Sequence, residues 1–196
     1  MSDENVEKNV GQRGDLTSLP VRDGETGLLN VIVEAPKGTG HKWKYDPALR
    51  LFRLGKILPS GATFPFDFGF LPSTLAEDGD PLDILVVTDL PAITGGLLSV
   101  RLLGVIEAEQ TAEGKTIRND RLVGVVETKY NNPSYEDIFG LDRAYLDDVA
   151  HFFVSYNEAE GREFKPLKRA GIIEAEALIE QAERRYQELR SGARPD

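Results

Sequence analysis

Cysteine is absent from the 196 residues, and histidine occurs only at His41 and His151. Disulfides, thiolate nucleophiles, Cys-based zinc sites and histidine-rich metal sites are thereby excluded. No apolar run approaches the ~20 residues of a membrane span. The opening MSDENVEKNV lacks the apolar stretch of a signal peptide. Basic charge is in the minority: 23 Lys and Arg against 33 Asp and Glu give a net charge of −10. Such a surface repels polyanions, so nucleic acid and anionic membranes are poor partners without a local basic patch. The expectation is a soluble cytoplasmic protein that collects cations. Hydrophobic residues make up 40%, enough for the single core of one domain.

Residues 1–20 are polar and show no period, so they are expected to form a mobile N-terminal arm. A single domain is expected over 21–190 and a frayed tail over 191–196. Strand character marks Leu28–Glu34, Lys42–Asp46, Leu49–Leu54, Asp83–Thr88, Leu97–Glu107 and Asp120–Glu127, with Gly and Pro between them. Helical spacing comes only in the last third. Leu146, Val149, Ala150 and Phe153 form one stripe; Ala175, Leu178, Ile179, Ala182, Tyr186 and Leu189 form another. Gly161 and Gly171 read as helix boundaries. Strands first and helices later predict an α+β fold, a closed or strongly curved sheet with helices outside it.

What the chain does carry is Glu77-Asp78-Gly79-Asp80-Pro81-Leu82-Asp83, directly ahead of an apolar strand. Gly79 permits a tight turn and Pro81 stiffens it. Carboxylates at i and i+2 of an extended segment point the same way. The turn at Pro81 can bring the third aspartate to the same focus. Like charges so close raise one another's pKa unless a cation sits between them, and a divalent ion is the simplest answer. Ligation by oxygen alone selects Mg2+, Mn2+ or Ca2+ over zinc. Acidic loops are usually solvated turns, but this one abuts a buried strand. An EF-hand is excluded, because Asp83 and Asp89 stand where that loop has Gly and Glu.

Upstream the chain is locally basic, with Lys37, His41, Lys42, Lys44, Arg50, Arg53 and Lys56. If Lys42 and Lys56 face the acidic loop, metal ligands and phosphate donors share one site. That suits phosphoryl transfer to water. Two ions ~3.5–4 Å apart clamp the attacking and leaving oxygens and lower the pKa of a bridging water. One further carboxylate takes its proton.

Six collinear pieces resemble the family I soluble inorganic pyrophosphatases: VIVEAP at Val31–Pro36, KWKYD at Lys42–Asp46, FPFDFGF at Phe64–Phe70, EDGDPLDILV at Glu77–Val86, NDRLVGV at Asn119–Val125 and AHFFVSY at Ala150–Tyr156. The resemblance implies a five-stranded OB-like closed β-barrel with flanking C-terminal helices, and a homo-oligomer. It implies Mg2+-dependent hydrolysis of pyrophosphate to two phosphates by metal-activated water, with Mn2+ as the alternative ion. Asp78, Asp83 and Asp120 resemble the ligands of the tightest ion, and Glu34 the acid that orients metal-bound water. Asp80 resembles the general base, Lys42 and Lys56 phosphate-binding cations, and Tyr156 a phosphate-contacting tyrosine. Arg121 stands near a family lysine.

The chain also departs from the family pattern. Lys44 replaces an acid, Lys56 an arginine (Arg53 is nearby), Phe64 and Phe68 tyrosines, and Asn157 a lysine. Gln110 or Thr111 falls on a later aspartate, with Glu109 and Glu113 as stand-ins. Lysine lacks the planar fork of arginine. Lys44 is read in two ways: as a solvated strand lysine, or as a fixed cation doing part of the work of a loosely bound Mg2+. Two further readings stand beside hydrolysis of pyrophosphate: a weakened homologue that holds metal and anion, and a hydrolase for another small phosphoanhydride. Asp67 reads as a turn residue before a ligand, Asp147 and Asp148 as solvated, and His151 as a subunit contact or a partly buried histidine. His41 reads as loop surface. Trp43 and Tyr45 read as the buried pair of their strand. KGTG at 37–40 does not have the spacing of a phosphate-binding loop.

Overall fold

The structure is a computed structural model that describes residues 14–128 and 134–192. It is a mixed α+β fold. The strands are β1 Leu29–Ala35, β2 His41–Asp46, β3 Leu51–Ile57, β4 Asp67–Phe70, β5 Asp83–Val87, β6 Leu97–Ala112, β7 Lys115–Arg118, β8 Arg121–Val126 and β9 Glu163–Ala170; the helices are α1 Arg143–Glu158 and α2 Ile172–Ser191. β1 bonds to β4 on one side and to β6 on the other, and β4–β5–β8–β6 continues the path. β5 and β8 run parallel; the other neighbours on this path are antiparallel. β2 and β3 form a separate hairpin.

After Asp83 and Arg121 the strands β5 and β8 are without polar side chains, because alternate residues are buried on opposite faces. Leu85, Val123 and Val125 face a cluster with Phe64, Phe66, Phe68 and the α1 residues Val149 and Phe153. Ile84, Val86 and Leu122 face the opposite cluster, with Ala175, Ile179 and Ala182 of α2. Asp142 caps α1 by accepting from Ala144 N at 2.8 Å. Gly192 ends α2 in the left-handed conformation, with φ 71°.

The expected strands are all present with shifted ends, β6 most of all, since it runs on to Ala112. β4, β7 and β9 were not expected. β9 lies between the two helices as an edge strand on β6, and its sequence EFKPLKRA turns only Phe164 and Ala170 fully inward. Of the arm expected over 1–20, residues 1–13 lie outside the described residues. Beyond them the chain is docked: Ser73 N donates to Thr17 O at 2.7 Å and Leu16 N to the Tyr45 hydroxyl at 3.2 Å. Of the expected tail, 193–196 lie outside the described residues. Tyr45 is buried whereas Trp43 is only half-buried; His41, on β2, and His151, on α1, are exposed. Asp147 is not simply solvated, because it pairs with Arg169.

Candidate active site

The acidic loop is held at its root by Thr74, whose buried hydroxyl donates to Leu71 O at 2.7 Å and accepts from Leu82 N at 2.9 Å. Gly79 takes φ 86°, the positive value the turn needs. Asp78 Oδ1 accepts from Asp80 N at 3.1 Å, which fixes the i, i+2 pair. Asp83 then opens β5. Because β5 and β8 are parallel with Ile84 beside Leu122, Asp83 comes alongside Arg121, and Arg121 Nη1 reaches Asp83 Oδ2 at 2.7 Å.

The loop stands between two cavities. One, of about 360 Å3, is lined by Glu34, Lys42, Lys44, Asp80 and Asp83 among others. The other, of about 380 Å3, takes Glu77, Asp78, Asp83, Arg118, Asp120 and Arg121. Glu34 enters the first cavity from the irregular step between Val33 and Ala35 of β1; such bulges re-aim side chains. Its carboxylate lies 3.3 Å from Lys42 Nζ, which also sits 4.3 Å from the centre of the Phe68 ring. Across the same cavity Lys44 Nζ stands 2.7 Å from both carboxylate oxygens of Asp80.

Burial raises the Glu34 carboxyl, and nearby Asp83 adds to it. Burial alone would lower the Lys42 ammonium, but Glu34, Asp83 and Tyr156 outweigh it and hold the pKa above the usual lysine value. Asp78 keeps an exposed edge; partial burial of its carboxyl, with Asp83 and Asp80 beside it, raises its pKa. Tyr156 is also raised by burial, against the pull of Lys42. Excess carboxylate charge accounts for the upward move of Lys42 and adds to the others.

Glu34, Lys42, Asp80, Asp83 and Tyr156 thus fall in one neighbourhood, with Asp78 on the far side of the loop. Asp120 does not line the first cavity; it shares the second with Asp78 and Asp83. Its Oδ1 accepts from Ala108 N at 2.9 Å and from Arg118 at 2.8 Å. Lys56 does not face the acidic loop. Its ammonium lies 2.9 Å from Glu160, 3.3 Å from Tyr156 O and 3.2 Å from the centre of the Tyr156 ring. It therefore sits at the C-terminal end of α1, where a cation is favoured. Phe64 and Phe68 are core residues in which a hydroxyl would need a buried partner. Asn157 is buried and donates to Phe153 O at 2.8 Å.

Sequence reasoning missed a row of partners. Gln110 Oε1 accepts from Asn119 Nδ2 at 2.9 Å, Asn119 Oδ1 accepts from Arg121, and Arg121 holds Asp83. The signal was the strand period: Asn119 and Arg121 share a side, and Asp120 takes the other. Arg121 is also stacked near Phe153 and Phe164, at 5.2 and 5.7 Å from their centres.

The donor set fits a hard cation by chemistry, since Asp78, Asp80, Asp83 and Glu34 offer only oxygen. Yet among the described residues no group of three or more acidic or histidine side chains converges as for a metal. Three of these carboxylates instead carry a cation of the chain: Lys44 on Asp80, Arg121 on Asp83 and Lys42 on Glu34.

The profile of the inorganic pyrophosphatase family matches residues 31–187. The inorganic pyrophosphatase of Thermus thermophilus is 35% identical over 167 residues, 85% of this chain and 93% of that protein. That of Nanoarchaeum equitans is 36% identical over 159 residues, covering 79% and 95%. The crystal structure of the inorganic pyrophosphatase from Thermus thermophilus superposes with a TM-score of 0.79 at 32% identity, covering 89% of this chain and 99% of that one. The corresponding structure from Neisseria gonorrhoeae gives 0.77 at 30% identity, covering 86% and 96%.

Proposed function

The chain belongs to the inorganic pyrophosphatase family, hydrolases by name and chemistry, and from that premise we propose that it cleaves inorganic pyrophosphate to two phosphates by direct attack of water, with Mg2+ before Mn2+ as cofactor. The observation that carries the reading is the facing of an acidic loop and a basic hairpin across one cavity. Asp80 and Asp83 form one wall, Lys42 and Lys44 the other, and Glu34 lies between. A phosphoanhydride and a hard cation are the two ligands such mixed walls suit.

Asp78 and Asp83 would hold the ion, with Asp120 in the same cavity, its Oδ1 shared with Ala108 N and Arg118, and with Glu34 on the other side of the loop. A divalent ion bound there supplies charge neutralisation and lowers the pKa of water. Asp80 takes the proton from the attacking water. Lys42, its charge secured by Glu34 and Asp83, neutralises a phosphate. Tyr156 positions a phosphate oxygen, and Lys56 steadies its ring from the α1 end.

The pairing of β1 with both β4 and β6 supports a closed five-stranded OB-like barrel of β1, β4, β5, β8 and β6. Family resemblance supports a cytoplasmic homo-oligomer. No described helix is long and apolar enough to cross a membrane.

The test is phosphate release from pyrophosphate with Mg2+, comparing the native chain with Asp80→Asn and Asp83→Asn. Each variant is expected to lose at least about 100-fold in rate. Release from a nucleoside triphosphate but not from pyrophosphate would move the substrate. Native activity no higher than that of the variants would overturn the reading.

A further inference from the structure

Three carboxylates of the proposed site are already paired with side-chain cations, but the pairs differ in kind. Arg121 is buried, fixed by Asn119 and flanked by Phe153 and Phe164, so it is a rigid partner for Asp83. Lys42 is held between Glu34 and the Phe68 ring. Lys44 is different. Its side chain is 58% exposed, that of Asp80 is 52% exposed, and Nζ touches both oxygens of Asp80 at 2.7 Å. An ion pair so open adds little to the fold. Its effect is local: it covers both lone-pair faces of one carboxylate at the cavity wall. A lysine on a four-carbon stem can swing to another acceptor, which the stacked Arg121 cannot.

We propose that Lys44 is a positioning residue that, acting through Asp80, couples anion binding to cation binding. Without an anion in the cavity, its ammonium occupies Asp80 and keeps a divalent ion from using that carboxylate. A phosphate oxygen entering between Lys42 and Lys44 is a stronger acceptor set for the ammonium, and it draws Lys44 away. Asp80 is then exposed to a divalent ion and to water. The chain therefore takes up its last divalent ion with its substrate, not before it. By reciprocity the ion strengthens anion binding by the same factor. This inference rests on the reading of the cavity as a site for a divalent ion and a phosphoanhydride.

The test counts bound Mn2+ by electron paramagnetic resonance on the full chain, with and without inorganic phosphate, for the native protein, Lys44→Gln and Lys44→Glu. Native protein is expected to bind one further Mn2+ per chain, or to bind Mn2+ about tenfold tighter, only when phosphate is present. In Lys44→Gln that extra binding appears without phosphate, and phosphate affinity measured calorimetrically falls. Lys44→Glu should bind the extra ion more tightly still. Circular dichroism and a melting curve confirm that each variant is folded, as expected for so open a pair. Equal Mn2+ binding in native protein and Lys44→Gln, each with the same response to phosphate, overturns the inference alone. Absence of Mn2+ binding in every form, with phosphate present, overturns both the inference and the divalent-ion reading beneath it.

Discussion

Asp67 is wholly buried in the structure, and its Oδ1 accepts from Lys37 N at 2.7 Å and from Ala92 N at 3.2 Å. One carboxylate thus ties the turn after β1 to the loop before β6. Burial raises its pKa, against those two N–H groups. A raised carboxyl favours the fold when protonated, so its ionisation subtracts stability as pH rises through the folded value. Asp67→Asn keeps an acceptor without the charge. It is expected to melt higher than the native chain at pH 7, with the gain vanishing as pH falls below the usual carboxylate range; melting curves across pH check this. Asp67→Ala leaves both N–H groups without an acceptor and should cost about 2 kcal/mol or more in a denaturant titration. In sequence Asp67 reads as a turn residue, whereas it opens β4, paired with Val86; neither of its donors could be named, because both are long-range. Strand alternation separates Asp120 from Arg121, and in the structure Asp120 lines a cavity with Asp78 and Asp83. Lys44 was legible as an odd charge; its partner Asp80 was not, since only the folded hairpin brings them together.

Strand register supplies most of the site. Asp83 meets Arg121 because β5 and β8 start level, and Glu34 turns inward at an irregular step of β1. Gly69 of β4 makes that step workable. A Cβ there would come 2.2 Å from Ile32 O on β1, a backbone atom that cannot move aside. Gly69→Ala is expected to cost about 3 kcal/mol, seen as a lower denaturation midpoint. Gly61→Ala, at φ 86° with open space around it, should cost only about 1 kcal/mol. Apolar runs with turn residues at their ends made β1, β5, β6 and β8 readable in the sequence, as helical stripes did α1 and α2. β9 was unreadable because an edge strand with exposed charges and Pro166 has only two fully buried positions to betray it.

At the scale of the whole molecule, α2 is the rear support of the acidic loop. Ala182 O accepts from Leu75 N at 3.0 Å, and Arg185 lies 3.6 Å from Glu77. Ala175, Ile179 and Ala182 anchor the helix in the core. Ile179→Ala should cost about 2–4 kcal/mol by melting or denaturant titration. Phosphate release should weaken further than the loss of folded protein explains, because the loop root rests on this helix. β6 gathers β1 at its start, β8 and β7 along one edge and β9 along the other from Val105 to Thr111. That last edge waits for the partner that comes latest in the chain. On a ribosome working at roughly 5–20 residues per second, β6 emerges on the order of seconds ahead of Glu163–Ala170. During that interval the nascent chain offers a bare strand edge, the kind that pairs with a neighbouring polypeptide unless a chaperone shields it.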